Sequence, residues 1–294
     1  MDLSIIIVSY NTKSDLKNCL KSIYKFTTDL RFEVIVIDNN SQDGSPDLIK
    51  KNFPQVKLVR SRDNLGFGKG NNLGASIAKG KYLLFLNSDT LLNDNVFKLS
   101  FDQIKDTTNL GAFTCRLLFT DGSIQPSGGY FPTLFRLFAW HTALDELPLL
   151  KQIIKPIHPD ISFYQQNFEP DWVTGAFMII PREIFLKLKG FDPHIFMYGE
   201  DLELCYRLKK HGLKVIYSSF PVITHLQSKS SSSRFAIVSE IKGIKYFFRK
   251  HQPSWQLFLV NLLFKLGSLL RLVLFGIILG NEAQKKAYQE ALRA

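Results

Sequence analysis

Cysteine is scarce in this chain. Its 294 residues contain three, Cys19, Cys115 and Cys205, widely separated, odd in number and without a C-x-x-C. That usage fits buried, reduced thiols in a cytosolic protein rather than a disulfide framework. The glycine signatures of common nucleotide folds are missing too. A dinucleotide-binding G-x-G-x-x-G should follow the first strand directly, yet Ser9-Tyr10-Asn11 stands there without a glycine. The later Gly66-Phe67-Gly68 has Asn71 where the third glycine belongs, and no G-x-x-x-x-G-K-[ST] phosphate loop occurs. The usual dehydrogenase and kinase apparatus is therefore excluded. Met1-Asp2-Leu3 lacks a basic n-region, and Leu3 to Val8 is too short for the apolar core of a secretory signal. No Arg-rich block with interleaved aromatics appears, so nucleic acid is not the expected partner.

What is present is a globular composition, 45% hydrophobic and 21% charged, with 25 Phe and 10 Tyr to fill a core. The net charge of +11 favours anionic partners, such as nucleotides or an acidic membrane surface. Leu3 to Val8, Phe32 to Ile37, Val56 to Arg60 and Tyr82 to Leu86 read as strands. Helices are expected to about Phe26 with Ser14 as the cap, from Pro46, and from Asn64-Leu65-Gly66 to about Ala78. Four alternations in the first 90 residues indicate a parallel, doubly wound α/β sheet. Further on, Leu110 to Phe119, Ser123 to Gln125 and Trp172 to Ile180 read as strands. Arg182 to Lys189 and Asp201 to His211 read as helices. Residues 126–170, interrupted by prolines, read as an insertion near a binding cleft.

Ligands of open α/β sheets bind beyond the carboxyl ends of the strands. Polar clusters stand at those ends or at helix starts: Ser9-Tyr10-Asn11, Asp38-Asn39, Asn87-Ser88-Asp89 and Glu200-Asp201. Each has a plain structural explanation. Asp89 could cap a turn, Asp38 could order one, Asp201 could be a carboxylate at a helix N-terminus, and His225 follows an apolar run. Together they suit sugar transfer from a nucleoside diphosphate. That reaction needs a carboxylate for base or ribose, acidic and imidazole ligands for a metal on the leaving diphosphate, and a general base for the attacking hydroxyl.

Val8-Ser9-Tyr10-Asn11, Asp38-Asn39-Asn40-Ser41 through Ser45, Asn64-Leu65-Gly66-Phe67-Gly68 through Asn71, Asn87-Ser88-Asp89, Trp172 through Phe177 and Gly190-Phe191-Asp192 through Leu204 are weak motifs singly. In this order and spacing the chain resembles an inverting family 2 glycosyltransferase of the GT-A fold, closest to the rhamnosyltransferase-like branch, over about residues 3–250. The resemblance implies a Rossmann-like mixed sheet flanked by helices, with a nucleotide-binding half (1–110) and an acceptor half (111–250). Ser9, Tyr10, Asn11, Asp38, Asn64, Gly66, Asn71 and Ser88 would line the nucleotide. Asp89 and His225 would hold a divalent metal, Mg or Mn. Asp201 would be the general base with Glu200 beside it, and Trp172, Gly175, Ala176 and Phe177 would form the wall of the sugar and acceptor cleft. The implied reaction joins a sugar, rhamnose first, to a glycan or lipid-linked acceptor in cell-surface polysaccharide synthesis. The sequence departs from the family's Asp-x-Asp at Asn87, an amide and so a weaker ligand for a hard cation. A silent nucleotide-sugar or glycan binder would not need Asp201. A nucleotidyltransferase would need a basic Gly-rich loop after the first strand, which is absent.

Residues 251–294 read as a helical extension. Leu257 to Gly280 is apolar, and Asn261, Lys265, Ser268 and Arg271 recur at helical spacing on one face. This pattern suits a helix lying in a membrane interface, or one packed on the catalytic domain or in a dimer. With a lipid-linked acceptor, the expectation is a cytoplasmic protein held peripherally at the inner face of the cell membrane.

Overall fold

The computed structural model describes residues 1–142, 144–227 and 233–293. The chain forms two compact units. The first comprises Met1–Gly128, Asp160–Phe196 and Asp201–Ser230; the second comprises Gly129–Pro159, Met197–Glu200 and Ser231–Ala294.

The first unit is built on one sheet. β1 (Leu3–Ser9), β2 (Phe32–Asp38), β3 (Lys57–Arg60) and β4 (Tyr82–Leu86) alternate with α1 (Lys13–Phe26), α2 (Ser45–Asn52) and α3 (Gly66–Ile77). Ile5, Ile6, Ile7, Val34, Ile35, Val36 and Ile37 are buried, as expected of strands covered on both faces. Then come β5 (Thr90–Leu92), α4 (Val96–Ile104), β6 (Leu110–Leu118) and β7 (Ile124–Gln125). β8 (Gly128–Gly129) and β9 (Trp172–Val173) make a separate two-stranded ribbon. β10 (Phe177–Pro181), α7 (Arg182–Lys187), α8 (Glu200–Lys210) and β11 (Lys214–His225) follow. Among the described residues the strand order is β3-β2-β1-β4-β10-β6-β11-β5, with β7 on β6. The β3-β2-β1-β4 half is parallel, as the alternation predicts. The other half is mixed, because β10 runs antiparallel to both β4 and β6.

Two local expectations are corrected. Ser14 does not cap α1, which begins one residue earlier. Thr12 holds the N-cap position and turns its hydroxyl to Ser9 and Ser88 instead. The strand expected from Trp172 to Ile180 is two strands, interrupted at Thr174-Gly175-Ala176. There the Thr174 N–H donates to Ser127 O and the Gly175 N–H donates to Asp201 Oδ2.

α3 lies close over β1 because glycine allows it. A Cβ on Gly74 would stand 2.4 Å from Ile6 Cγ2. Gly66, at φ +76°, would put a Cβ 2.3 Å from the Phe196 carbonyl oxygen, so both conformation and space require glycine there.

The second unit is helical: α5 (Leu134–Thr142), α6 (Lys151–Ile154), α9 (Ser233–His251), α10 (Ser254–Arg271) and α11 (Glu282–Ala291). A π-helical turn, Leu272–Ile278, prolongs α10. α10 packs on α5, α9 and α11. Val238, Ile241, Ile244, Phe247, Phe248, Val260, Phe264 and Ala287 form the buried interior of these helices.

Candidate active site

Strand register gathers the site. Ser9 at the end of β1 lies opposite Asp38 at the end of β2, and β4, parallel to β1, ends at Leu86 just before Asn87-Ser88-Asp89. The antiparallel pairing of β11 with β5 sets His225 opposite Thr90, and the Leu226 N–H donates to Asp89 O at 2.9 Å. Residues 136 positions apart thus become neighbours, with His225 Nε2 3.2 Å from Asp89 Oδ1.

On the nucleotide side, Ser9 Oγ, Thr12 Oγ1 and Ser88 Oγ form a hydroxyl chain of 2.9 and 3.0 Å. Asn11 joins two loops: its N–H donates to Ser41 Oγ and its Oδ1 accepts from the Gln42 N–H. Tyr10 is exposed beside it. Asn64 Oδ1 accepts from the Gly66 N–H and from Asn39 Nδ2. Asp38 is wholly buried and accepts only from the Ser41 N–H through Oδ2. Asp38 Oδ1, Asn39 Oδ1 and Asn71 Oδ1 are buried acceptors without a hydrogen-bond partner among the described residues. Folded proteins rarely leave buried acceptors unpaired, because each costs about 1–3 kcal/mol. These three orphans suit the N–H and O–H donors of a base and ribose.

The Asp89–His225 pair fits a divalent cation. His225 Nδ1 faces Gln125 Oε1 at 3.0 Å. An amide oxygen only accepts, so Nδ1 carries the proton and Nε2 offers its lone pair on the Asp89 side. Asp89 and His225 are both buried. One carboxylate and one imidazole are both donors to divalent cations. Among the described residues no group of three His, Cys, Asp or Glu could hold a metal alone. Asn87 presents its amide nitrogen, not its oxygen, to His225 Nε2 at 3.2 Å. It donates a hydrogen bond to the very lone pair a cation would use. Cys19 lies beneath this turn, its thiol pushed up to about 12 by burial, and takes no part as a nucleophile. All three cysteines are free and buried.

Asp201, near the start of α8, is held by two backbone donors: Gly175 N–H to Oδ2 at 3.3 Å and Leu202 N–H to Oδ1 at 2.8 Å. A Cβ on Gly175 would stand 2.6 Å from the Phe67 ring, so glycine is what lets this segment approach both α3 and Asp201. Of the residues expected in the cleft wall, Trp172 is half-buried. Ala176 and Phe177 are core residues instead, Ala176 just before β10 and Phe177 at its start, beside Phe97 at 6.3 Å. Glu200, the first residue of α8, is 5% exposed. Gln125 and Thr12 join the site without a linear signal, whereas Asn39 belongs to the Asp38-Asn39 cluster named in the sequence.

Residues 4–164 match the glycosyl transferase family 2 domain. The N-acetylglucosaminyl-diphospho-decaprenol L-rhamnosyltransferase of Mycobacterium tuberculosis is 26% identical over 272 residues, covering 86% of this chain and 86% of that one. Rhamnosyltransferase WbbL of Escherichia coli is 28% identical over 226 residues, covering 72% and 79%. Among solved structures, GalNAc-T7 with UDP, GalNAc and Mn2+ superposes with a TM-score of 0.59 at 19% identity, over 84% of this chain and half of that one, which shows the shared fold. With the mixed sheet and the polar cluster at its strand ends, this match establishes that the chain is a glycosyltransferase belonging to glycosyl transferase family 2.

Proposed function

We propose that the protein transfers a sugar, with inversion, from a nucleoside-diphosphate donor to a hydroxyl of a glycan or lipid-linked acceptor in cell-surface polysaccharide synthesis. dTDP-rhamnose is the first donor to test, given the rhamnosyltransferases among the relatives. The decaprenol-linked substrate in the name of the mycobacterial relative supports a lipid-linked acceptor, met at the cytoplasmic face of the membrane. The single observation that carries the donor site is the set of orphaned buried oxygens of Asp38 and Asn39 at the end of β2 and of Asn71 on α3.

The residues divide the work. Asp38, Asn39, Asn71 and the Ser9–Thr12–Ser88 hydroxyls hold the nucleotide. Asp89 and His225 would hold a divalent cation, which when bound neutralises the leaving diphosphate. Asp201, fixed by the Gly175 and Leu202 amides, takes the proton of the acceptor hydroxyl. The acceptor oxygen then bonds the anomeric carbon from the face opposite the diphosphate. The carbon–oxygen bond to the diphosphate breaks, and the nucleoside diphosphate departs with the electron pair.

Asp201→Asn tests the assignment. It removes the base and keeps an acceptor oxygen for one of the two backbone donors, so nucleotide-sugar binding measured by thermal shift should persist while turnover falls by about two to four orders of magnitude. An unchanged rate would sink the base assignment, and a protein that binds donor but never turns over would be a silent binder.

A further inference from the structure

The C-terminal helix is turned inside out for a water-soluble unit. Advancing about 100° per residue, Val260, Phe264, Gly267, Ser268 and Arg271 fall on one arc of α10, buried or half-buried against the other helices of the unit. Trp255, Phe258, Leu262, Leu266, Leu269 and Val273 fall on the opposite arc and are exposed, Phe258 by 71% and Leu266 by 52%. Surface helices normally show the reverse. Single exposed apolar residues are ordinary, whereas a continuous stripe marks an interaction surface.

Charge selects the partner. The unit that carries this stripe has thirteen Lys and Arg against six Asp and Glu, so +7 of the chain's +11 resides there. Lys245 of α9 and Lys265 of α10 flank the helix together, Lys245 lying over the Phe264 ring at 5.9 Å. Burial and the Lys265 charge pull the Lys245 ammonium below its ordinary range, so an anion placed there would relieve both. A second copy of the chain would set one unit of net charge +7 against another and repel.

We propose that the outward face of α10 docks on a bilayer containing anionic lipid, with its apolar stripe at the boundary of headgroups and acyl chains and Lys245 and Lys265 on lipid phosphates. This goes beyond the sugar-transfer reading and does not depend on it. The helix lies on the membrane rather than crossing it, although Ser254–Gly276 is long and apolar enough to span. Its inner stripe is built into the protein: Arg271 stacks on Trp140 at 5.0 Å and donates to His141 Nδ1 at 2.9 Å. Extraction into lipid would strip those contacts from a charge.

The test is co-sedimentation of the full-length protein with vesicles of phosphatidylcholine, with and without phosphatidylglycerol. Binding should be confined largely to the acidic vesicles and weaken with salt. Lys245→Ala and Lys265→Ala should each weaken it about fivefold. Leu266→Asp with Leu269→Asp should weaken it by about tenfold or more, with Leu266→Ser as a milder variant. Unchanged melting temperatures would show that these substitutions leave the fold intact. Equal binding to neutral vesicles, no binding to either, or a dimer in solution that the Leu266→Asp and Leu269→Asp changes dissolve would each overturn the proposal.

Discussion

Gln125 carries no charge, yet it decides which nitrogen of His225 bears the proton. Its Oε1 sits 3.0 Å from Nδ1 and leaves Nε2 free beside Asp89. Gln125→Leu removes that acceptor from a buried site, so Mn2+ affinity measured by calorimetry with nucleoside diphosphate present should fall about 10- to 100-fold. Gln125→Glu keeps the acceptor and should bind metal nearly as the parent does. Equal affinity for all three proteins would remove Gln125 from the site. Asp89 and His225 were legible in the sequence because each follows an apolar run within an ordered set of motifs. Gln125, in Ser-Ile-Gln-Pro, offers no such pattern, and it reaches His225 across 100 residues only through β7 and β11.

At the scale of elements, the apolar runs of β1, β2 and β4 announce themselves, since strands covered on both faces need continuous β-branched or large apolar residues. β5, three residues long, and β11, whose run is broken by Ser218-Ser219 and Pro221, do not. Yet their pairing is what carries His225 to Asp89. The apolar run of α10 was legible as a helix, and so was its polar face. Which face would look outward was not, because that depends on what α5 and α9 offer it. One partner on α5 is His141, held down to about 4 by burial and the Arg271 charge. Its ordinary value is 6.5. Above that value the folded and unfolded chains both hold it neutral. As pH falls from 6.5 towards 4, only the unfolded chain gains the proton, so stability is lost across that window and levels off below it. His141→Gln keeps an acceptor for Arg271 and removes the titration. Its melting temperature should decline less than the parent's between pH 7 and pH 4.5, and parallel curves would contradict the role given to His141.

On the scale of the whole molecule, metal and nucleotide should act together. Two protein donors would hold the cation, and Asn87 donates to the lone pair of one of them. Mn2+ and dTDP added together should therefore raise the melting temperature by more than the sum of their separate shifts. Asn87→Asp replaces that amide with a carboxylate, so Mn2+ alone should then stabilise the protein and the excess should shrink. Tight Mn2+ binding by the parent without nucleotide would contradict this arrangement. The family and the parallel half of the sheet were determined by the sequence alone, the family by the order and spacing of its motifs and the sheet because turn chemistry and apolar periodicity act over a few neighbouring residues. Asp38, Asp89, Asp201 and His225 were named there as candidates by the resemblance. The mixed half of the sheet, the burial of Phe177, the Gln125–His225–Asp89 relay and the outward stripe of α10 were decided only in the tertiary structure. They arise where segments distant in the chain bury surface against one another, and the energy of that packing has no local pattern to announce it.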